Sequence, residues 1–335
     1  MMKTKNKKSY RDEMADFFIK GLEEDPVKFI RGWDFSKTGN PINYSKNKEY
    51  NGINKLYLKI LEVKLGYGDN RWLTFNQLKE KDLHLQKGAK GAKVEYYIPY
   101  DNEKKKWAKW DEFNIGAKYI DKNGMICDKY SLRQRLFTVF NASQIDGIEK
   151  LPVDYTKNKI DQEKVIERIS DKMGVKIIER RNSQSAFYDP NDDEIILPER
   201  EQFKSRGDYI RTSLHELGHS TGHSTRLNRD LSGKFGSRKY AFEELVAEIT
   251  SSFMGEYVSE PISENVLENH KAYIQSWAKE IKNNKNFLFK AIKKAETASN
   301  YIIEHAQLFD FKRDFEKENK KPVFSWSQND EEVEF

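Results

Sequence analysis

A single cysteine, Cys127, stands in a chain of 335 residues. An internal disulfide is therefore excluded, and so is any zinc site built from cysteines. No stretch approaches the roughly 18–20 consecutive apolar residues that a membrane-crossing helix needs. The basic residues Met1 to Lys8 lead into Tyr10-Arg11-Asp12-Glu13 rather than an apolar segment, so a secretory signal is not expected. Internal repeats are also missing. The expectation from these absences is a cytoplasmic protein with no membrane partner.

What is present points to two globular units. The length suits two domains of ordinary size, and 37% hydrophobic with 13% aromatic residues supplies a core for each. The net charge of +5 is unevenly spread: residues 1–150 carry 30 Lys+Arg against 21 Asp+Glu, the remainder 29 against 33. A basic first half suggests a polyanionic partner. Helical periodicity is expected over Tyr10–Gly21, Gly52–Leu65, Val165–Met173, Ser205–His223, Tyr240–Tyr257, Glu264–Asn283 and Phe287–His305. Strands are expected at Trp72–Phe75, Val94–Ile98, Phe137–Asn141, Val175–Ile178, Ala186–Pro190 and Glu194–Pro198. Leu151-Pro152 and the polar residues up to Asp161 read as a linker. The fold expectation is α+β: a nucleic-acid-binding unit over 1–150, a metallopeptidase-like unit over 160–312, and a charged tail over 313–335.

Leu214-His215-Glu216-Leu217-Gly218-His219 is an HExxH pattern. Residues four apart share a helix face, so the imidazoles of His215 and His219 can converge on one ion. Glu216 then stands beside the ion as general base, since zinc brings a water's pKa to about 7 and a carboxylate can finish its activation. A third ligand is needed. His223 lies about 12 Å from His215 along a continuous helix, too far to share the ion, and is read as closing the helix. Glu244 and Glu248, four apart on the next expected helix, form a like-charged pair that a cation would stabilise. In the arrangement of glutamate-ligand zincins the first binds zinc and the second accepts a hydrogen bond from a ligand histidine. Glu244 is assigned as ligand and Glu248 as the carboxylate behind it, with the reverse order also open. Phe187 and Tyr188 are candidates for an edge strand that aligns an extended peptide, and Tyr240 for a hydroxyl near the reacting carbonyl.

Aromatic and basic residues alternate in the first half. Tyr50 and Trp72 are taken as candidate stacking residues for a single strand. Lys87, Lys90 and Lys93, set around Gly88 and Gly91, are candidate phosphate contacts.

Several segments together resemble the ArdC-type antirestriction proteins of conjugative elements, related to the N-terminal part of plasmid TraC-type primases. They include Tyr50-Asn51-Gly52-Ile53-Asn54, Trp72-Leu73-Thr74-Phe75, Lys87-Gly88-Ala89-Lys90-Gly91, Thr138-Val139-Phe140-Asn141, the HExxH segment through His223, Glu243–Glu248 and Tyr273–Trp277. The resemblance implies an N-terminal domain that binds single-stranded DNA without sequence preference and a C-terminal zincin-like metallopeptidase domain. It also implies a role in sheltering DNA that enters a new host from restriction enzymes. Two other assignments fit the same residues. One is a zinc protease acting on a restriction enzyme or another DNA-bound protein. The other is a replication or primase accessory binder whose zinc holds the fold.

Overall fold

A computed structural model of the chain describes residues 8–151, 162–258 and 271–311. Most of the expected linker (152–161), the first part of the helix expected from Glu264, and the charged tail (313–335) lie outside the described residues.

The first helix, α1 (Tyr10–Glu24), starts where Ser9 and Asp12 form a capping box, each side chain accepting from the other's backbone N–H. A short α2 (Pro26–Arg31) follows, with proline in its first turn, and α3 (Gly52–Leu65) comes after an aromatic loop. The strands β1 (Ile42–Asn43), β2 (Lys48–Glu49), β3 (Arg71–Thr74), β4 (His84–Leu85), β5 (Ala92–Asp101) and β6 (Lys106–Trp107) precede β7 (Lys118–Ile120), β8 (Ile126–Asp128), β9 (Tyr130–Asn141) and β10 (Ile145–Asp146). Six of them form one sheet in the order β2-β1-β3-β9-β5-β6. A helix α4 (Phe75–Glu80) follows β3 directly, capped by Thr74 and Gln77.

β5 and β9 are longer than sequence periodicity marks. They pair antiparallel over ten residues, from Ala92 opposite Val139 to Asp101 opposite Tyr130. The outer half of β9 is Arg- and Gln-rich and half-wet. The cross-strand ladder, and not strand propensity, holds it extended.

The second segment begins with α5 (Gln162–Met173) and a three-stranded sheet, β11 (Lys176–Arg180), β12 (Phe187–Asp189) and β13 (Glu194–Pro198). β13 sits centrally, parallel to β11 and antiparallel to β12, which leaves β12 at the edge. Helices α6 (Arg206–Ser220), α7 (Arg238–Phe253), α8 (Gly255–Val258), α9 (Lys271–Asn283) and α10 (Asn286–His305) complete the fold. The α+β architecture expected from the pattern is therefore observed. The helix carrying HExxH stops at Ser220 rather than His223, where the Thr221 hydroxyl donates to the Gly218 carbonyl and a turn begins at Gly222.

Three of the four apolar clusters among the described residues organise these elements. One lies between α5, the three-stranded sheet and α6. A smaller one lies under the six-stranded sheet, where Leu58 of α3 meets Tyr50, Trp72, Val94 and Val139. The largest crosses from one segment to the other: Phe18, Trp33, Phe35 and Leu56 pack with Leu245, Phe253, Trp277 and Leu288. The six-stranded sheet covers only part of α1–α3, so their remaining apolar faces are buried against α7, α9 and α10. Polar ties reinforce the junction. Arg211 pairs with Asp34 at 3.3 Å, and the Gly52 N–H donates to Glu296 at 2.7 Å. Among the described residues no helix is long and apolar enough to cross a membrane.

Candidate metal centre

The Ser205 hydroxyl caps α6, accepting from the Asp208 N–H. Ile210, Leu214 and Leu217 are fully buried in the core beside it. This fixes the rotation of α6 and turns His215 and His219 toward α7. The two helices cross closely at Gly218: a Cβ there would sit 3.2 Å from Ala247 Cα and 3.3 Å from its carbonyl oxygen. That approach places Glu244 between the two imidazoles. His215 Nε2 and His219 Nε2 are 3.2 Å apart, and each is 3.5 Å from a Glu244 oxygen.

These separations suit a bound ion. A tetrahedral ion held at about 2.0–2.1 Å keeps neighbouring donor atoms about 3.3 Å apart. His215, His219 and Glu244 each offer one donor atom, all within 4.8 Å of one another. Two imidazoles and a carboxylate are a borderline donor set that fits zinc and other divalent first-row ions.

Both imidazoles are backed by carboxylates. His215 Nδ1 lies 3.3 Å from Glu248, and the His219 Nδ1 faces Glu243 at 3.2 Å. Glu248 thus lies behind His215, and Glu244 is the carboxylate on the donor side. Glu243 was not anticipated. It is adjacent in sequence to Glu244, about 100° around the helix, and so reads as belonging to another face. Because the imidazoles straddle α7, residues on both faces reach them. Arg229, from the loop after α6, holds Glu243 by two bonds, 2.6 and 3.0 Å, and also donates to the Thr221 hydroxyl and Gly218 carbonyl. Nothing in the local sequence around Arg229 marks it.

Glu216 is 7% exposed and lines the same cavity of about 500 Å³ as His215, His219 and Glu244. Phe187 and Tyr188 of the edge strand β12 form one wall, and Tyr240 and Tyr273 another. Tyr240 lies one turn ahead of Glu244, its hydroxyl 3.1 Å from that of Tyr273. Burial first, then Tyr273 and Glu244, raise its phenol well above the usual range. His223 bonds to Thr225 at 2.8 Å and lies apart from the donor cluster.

The protonation of the cluster follows from these pairs. Burial disfavours charge on His219, but the carboxylates of Glu243 and Glu244 prevail and push its pKa up to about 9. His215 is also raised, against burial, by Glu244 and Glu248. Glu244 is buried too, yet the two histidines hold its carboxyl well below the usual range. In the metal-free protein, protonated His219 therefore stabilises the fold, fully below its unfolded-chain value of about 6.5. That contribution is lost as pH rises through about 9. An ion requires neutral imidazoles, so ion and protons compete. Metal binding at neutral pH is expected to release protons, with apparent affinity climbing as pH rises through about 9. Calorimetric titration in buffers of different ionisation enthalpy measures this; a buffer-independent heat would mean imidazoles already neutral. Glu243→Gln is expected to weaken metal binding about 10- to 100-fold. Competition with a chromogenic chelator reads that loss, and unchanged affinity would remove Glu243 from the site.

Both segments of the chain match known families. Residues 8–140 match the family described as the N-terminal domain of anti-restriction factor ArdC, and residues 164–294 match the zincin-like metallopeptidase family. An uncharacterized protein y4eC of Sinorhizobium fredii is 31% identical over 90% of this chain and 93% of its own length. The crystal structure of the metal-free antirestriction protein ArdC from plasmid R388 superposes with a TM-score of 0.67 at 29% identity, covering 90% of this chain and 98% of that one. The chain belongs to the ArdC antirestriction family.

A second ArdC crystal structure, with Mn(II) bound, matches with a TM-score of 0.66 at 28% identity over 89% of this chain and 98% of that one. That protein thus holds a divalent ion, and the His215, His219 and Glu244 donor set here fits one. Two DNA primases TraC of Escherichia coli are 33% identical over 90% of this chain, yet the chain spans only 28% and 20% of their lengths.

The nucleic-acid candidates in the ArdC-type N-terminal segment fare differently. Trp72 is wholly buried in β3 and Tyr50 is 2% exposed, both inside the core under the sheet. Neither ring is presented to a strand, which corrects their assignment as stacking residues. The large apolar area of each ring is worth more inside the core than on the surface. Lys87, Lys90 and Lys93 are exposed, but the Lys90 N–H is taken by Gln144 at 2.7 Å and the Lys93 ammonium lies 3.6 Å from Glu13.

Proposed function

We propose that this protein is an antirestriction factor of a mobile element, acting in the cytoplasm, with two activities: it holds single-stranded DNA without sequence preference and carries a zinc-dependent peptidase centre. The observation that carries the second activity is the convergence of His215, His219 and Glu244 donor atoms at tetrahedral spacing, beside Glu216 in an accessible cavity. The first rests on family membership, the basic first half, and its exposed aromatic surface.

A divalent ion at the triad would supply Lewis acidity, polarising a carbonyl and acidifying a water. The remaining chemistry belongs to the chain. Glu243 and Glu248 hold the two imidazoles in the tautomer that directs Nε2 into the cavity. Glu216 is placed to hold the proton that a water gives up and to pass it to a leaving amine. The open edge of β12 offers backbone groups to an extended peptide, which would add to the sheet as a further strand. Tyr240 stands on the opposite wall as a hydroxyl donor. The peptide substrate fitting this reading is a restriction enzyme or another protein met on DNA.

The deciding experiment is metal analysis by mass spectrometry on wild type, His219→Ala and Glu244→Ala. Close to one zinc per chain in wild type, sharply lowered in both variants, supports the centre. A zinc-free wild type overturns it. Loss with His219→Ala alone overturns Glu244 as third ligand.

A further inference from the structure

The paired strands β5 and β9 show one face with an unusual distribution of residues. Directly opposed residues in an antiparallel pair share a face. The register therefore puts Tyr96, Ile98 and Tyr100 on the same side as Arg135, Arg133 and Ser131, with Phe137 beyond them and Trp107 of β6 opposite Tyr100. Nearer the body of the protein this face continues into Ala92, Val94 and Val139, which α3 and Trp72 cover. Further out this face opens to solvent: Tyr96 and Trp107 are each 41% exposed, both arginines are exposed, and Ile98, Tyr100 and Phe137 are half-buried.

The outer face is aromatic and cationic. The Arg133 guanidinium stacks 3.6 Å from the Tyr100 ring centre, and Arg135 lies 5.4 Å from Trp107 and 5.2 Å from Phe137. Tyr96 packs edge-on against Phe137 at 5.7 Å. The carboxylates of these strands, Glu95 and Asp101, alternate onto the other face, where Glu95 pairs with Arg11. A hollow lined by Tyr100, Asn102, Lys105, Tyr119 and Arg133 lies at the outer end; its one acidic lining residue, Asp128, is paired with Lys118.

We infer that this outer face of β5, β6 and β9, and not the buried Tyr50 and Trp72, is the platform on which a single DNA strand lies. Bases stack on Tyr96, Tyr100, Trp107 and Phe137, while Arg133 and Arg135 meet the phosphates. The inference rests on the single-strand-binding reading above and gives that reading a place. Aromatic rings separated by guanidinium groups, on a strand face from which Glu95 and Asp101 alternate away, complement a polymer of π-faces and phosphates. A sheet of this extent holds about two or three stacked bases. Stacking is indifferent to base identity, which agrees with binding that has no sequence preference.

The test is fluorescence anisotropy of the full chain with a dye-labelled oligo(dT) of about 20 nucleotides, over a range of salt. Trp107→Ala is expected to weaken binding about 5- to 150-fold without changing the salt slope, and Trp107→Phe to retain most of the affinity. Arg133→Ala with Arg135→Ala is expected to flatten the log–log salt slope by about 1.4, at about 0.7 per phosphate contact. Unchanged melting temperature and metal content show that the variants fold. Wild-type affinity in these variants, with the Lys87/Lys90/Lys93 triple alanine weakened instead, overturns the platform and moves the strand to the basic turn. A change in sedimentation but not in DNA affinity overturns it in favour of contact between copies. Tighter binding of oligo(U) than of oligo(dT) overturns DNA as the occupant. A wild type that does not bind oligo(dT) at low salt sinks the single-strand reading itself, an outcome distinct from the others.

Discussion

Gly218→Val is expected to strip most of the metal from the protein while leaving both histidine ligands in place. The reason is the helix crossing. A Cβ at position 218 would lie 3.2 Å from Ala247 Cα and 3.4 Å from Thr250 Cβ, contacts with a neighbouring helix's backbone and stem rather than with a flexible side-chain end. Valine adds two further methyl groups, so α7 must move off α6. Overpacking of this kind costs about 1–3 kcal/mol. It also withdraws Glu244, whose oxygens reach the imidazoles only at 3.5 Å as the helices stand. Since His215 and His219 share α6, their mutual geometry is untouched, and a two-histidine site remains that binds metal weakly. Gly218→Ala, which adds the Cβ alone, should lose far less. Zinc content and melting temperature of the two variants measure the effect. Full metal with a normal melting temperature in the valine variant would mean that the helix spacing does not set the third ligand.

Glu216→Gln is expected to do the opposite, leaving metal content at the wild-type level and lowering peptide hydrolysis about 10²–10⁴-fold. Glu216 lines the cavity beside the triad but is not among the clustered donors. Glutamine keeps its size and polarity and removes its ability to hold a proton. Hydrolysis of a casein-type or peptide-library substrate, followed in parallel with metal analysis, separates base from ligand. If metal falls with activity, Glu216 is holding the ion and the assigned roles are wrong. The same variant bears on biology. Protection of incoming DNA that survives Glu216→Gln would detach protection from proteolysis and leave the proposed DNA-binding face as its agent. Protection lost along with hydrolysis would make cleavage of a DNA-bound protein the working step.

Much of the metal centre was legible beforehand because its chemistry is local. His215, Glu216 and His219 lie within one helical turn and a half, and Glu244 and Glu248 within one turn of another helix, so helical periodicity alone sorts them by face. Glu243 and Arg229 were not legible. Glu243 lies on a flank of α7 that matters only because two imidazoles straddle that helix, and Arg229 comes from a loop whose path no periodicity describes. The stacking candidates Tyr50 and Trp72 were misassigned for a related reason. Composition marked the first half as basic and aromatic, but Trp72 and Trp107 look alike in such a count. One is wholly buried and the other 41% exposed.

By itself, then, the sequence determined the α+β class, the candidate donor set His215, His219 and Glu244, and the basic character of the first segment. These follow from short-range spacing, side-chain chemistry and charge, which do not depend on the path of the chain. Only the tertiary structure decided which rings face water, which carboxylates back the histidines, and that α1–α3 share one core with α7, α9 and α10. Each of those outcomes rests on contacts between residues far apart in the chain, where burial of a face against its partner outweighs any local preference.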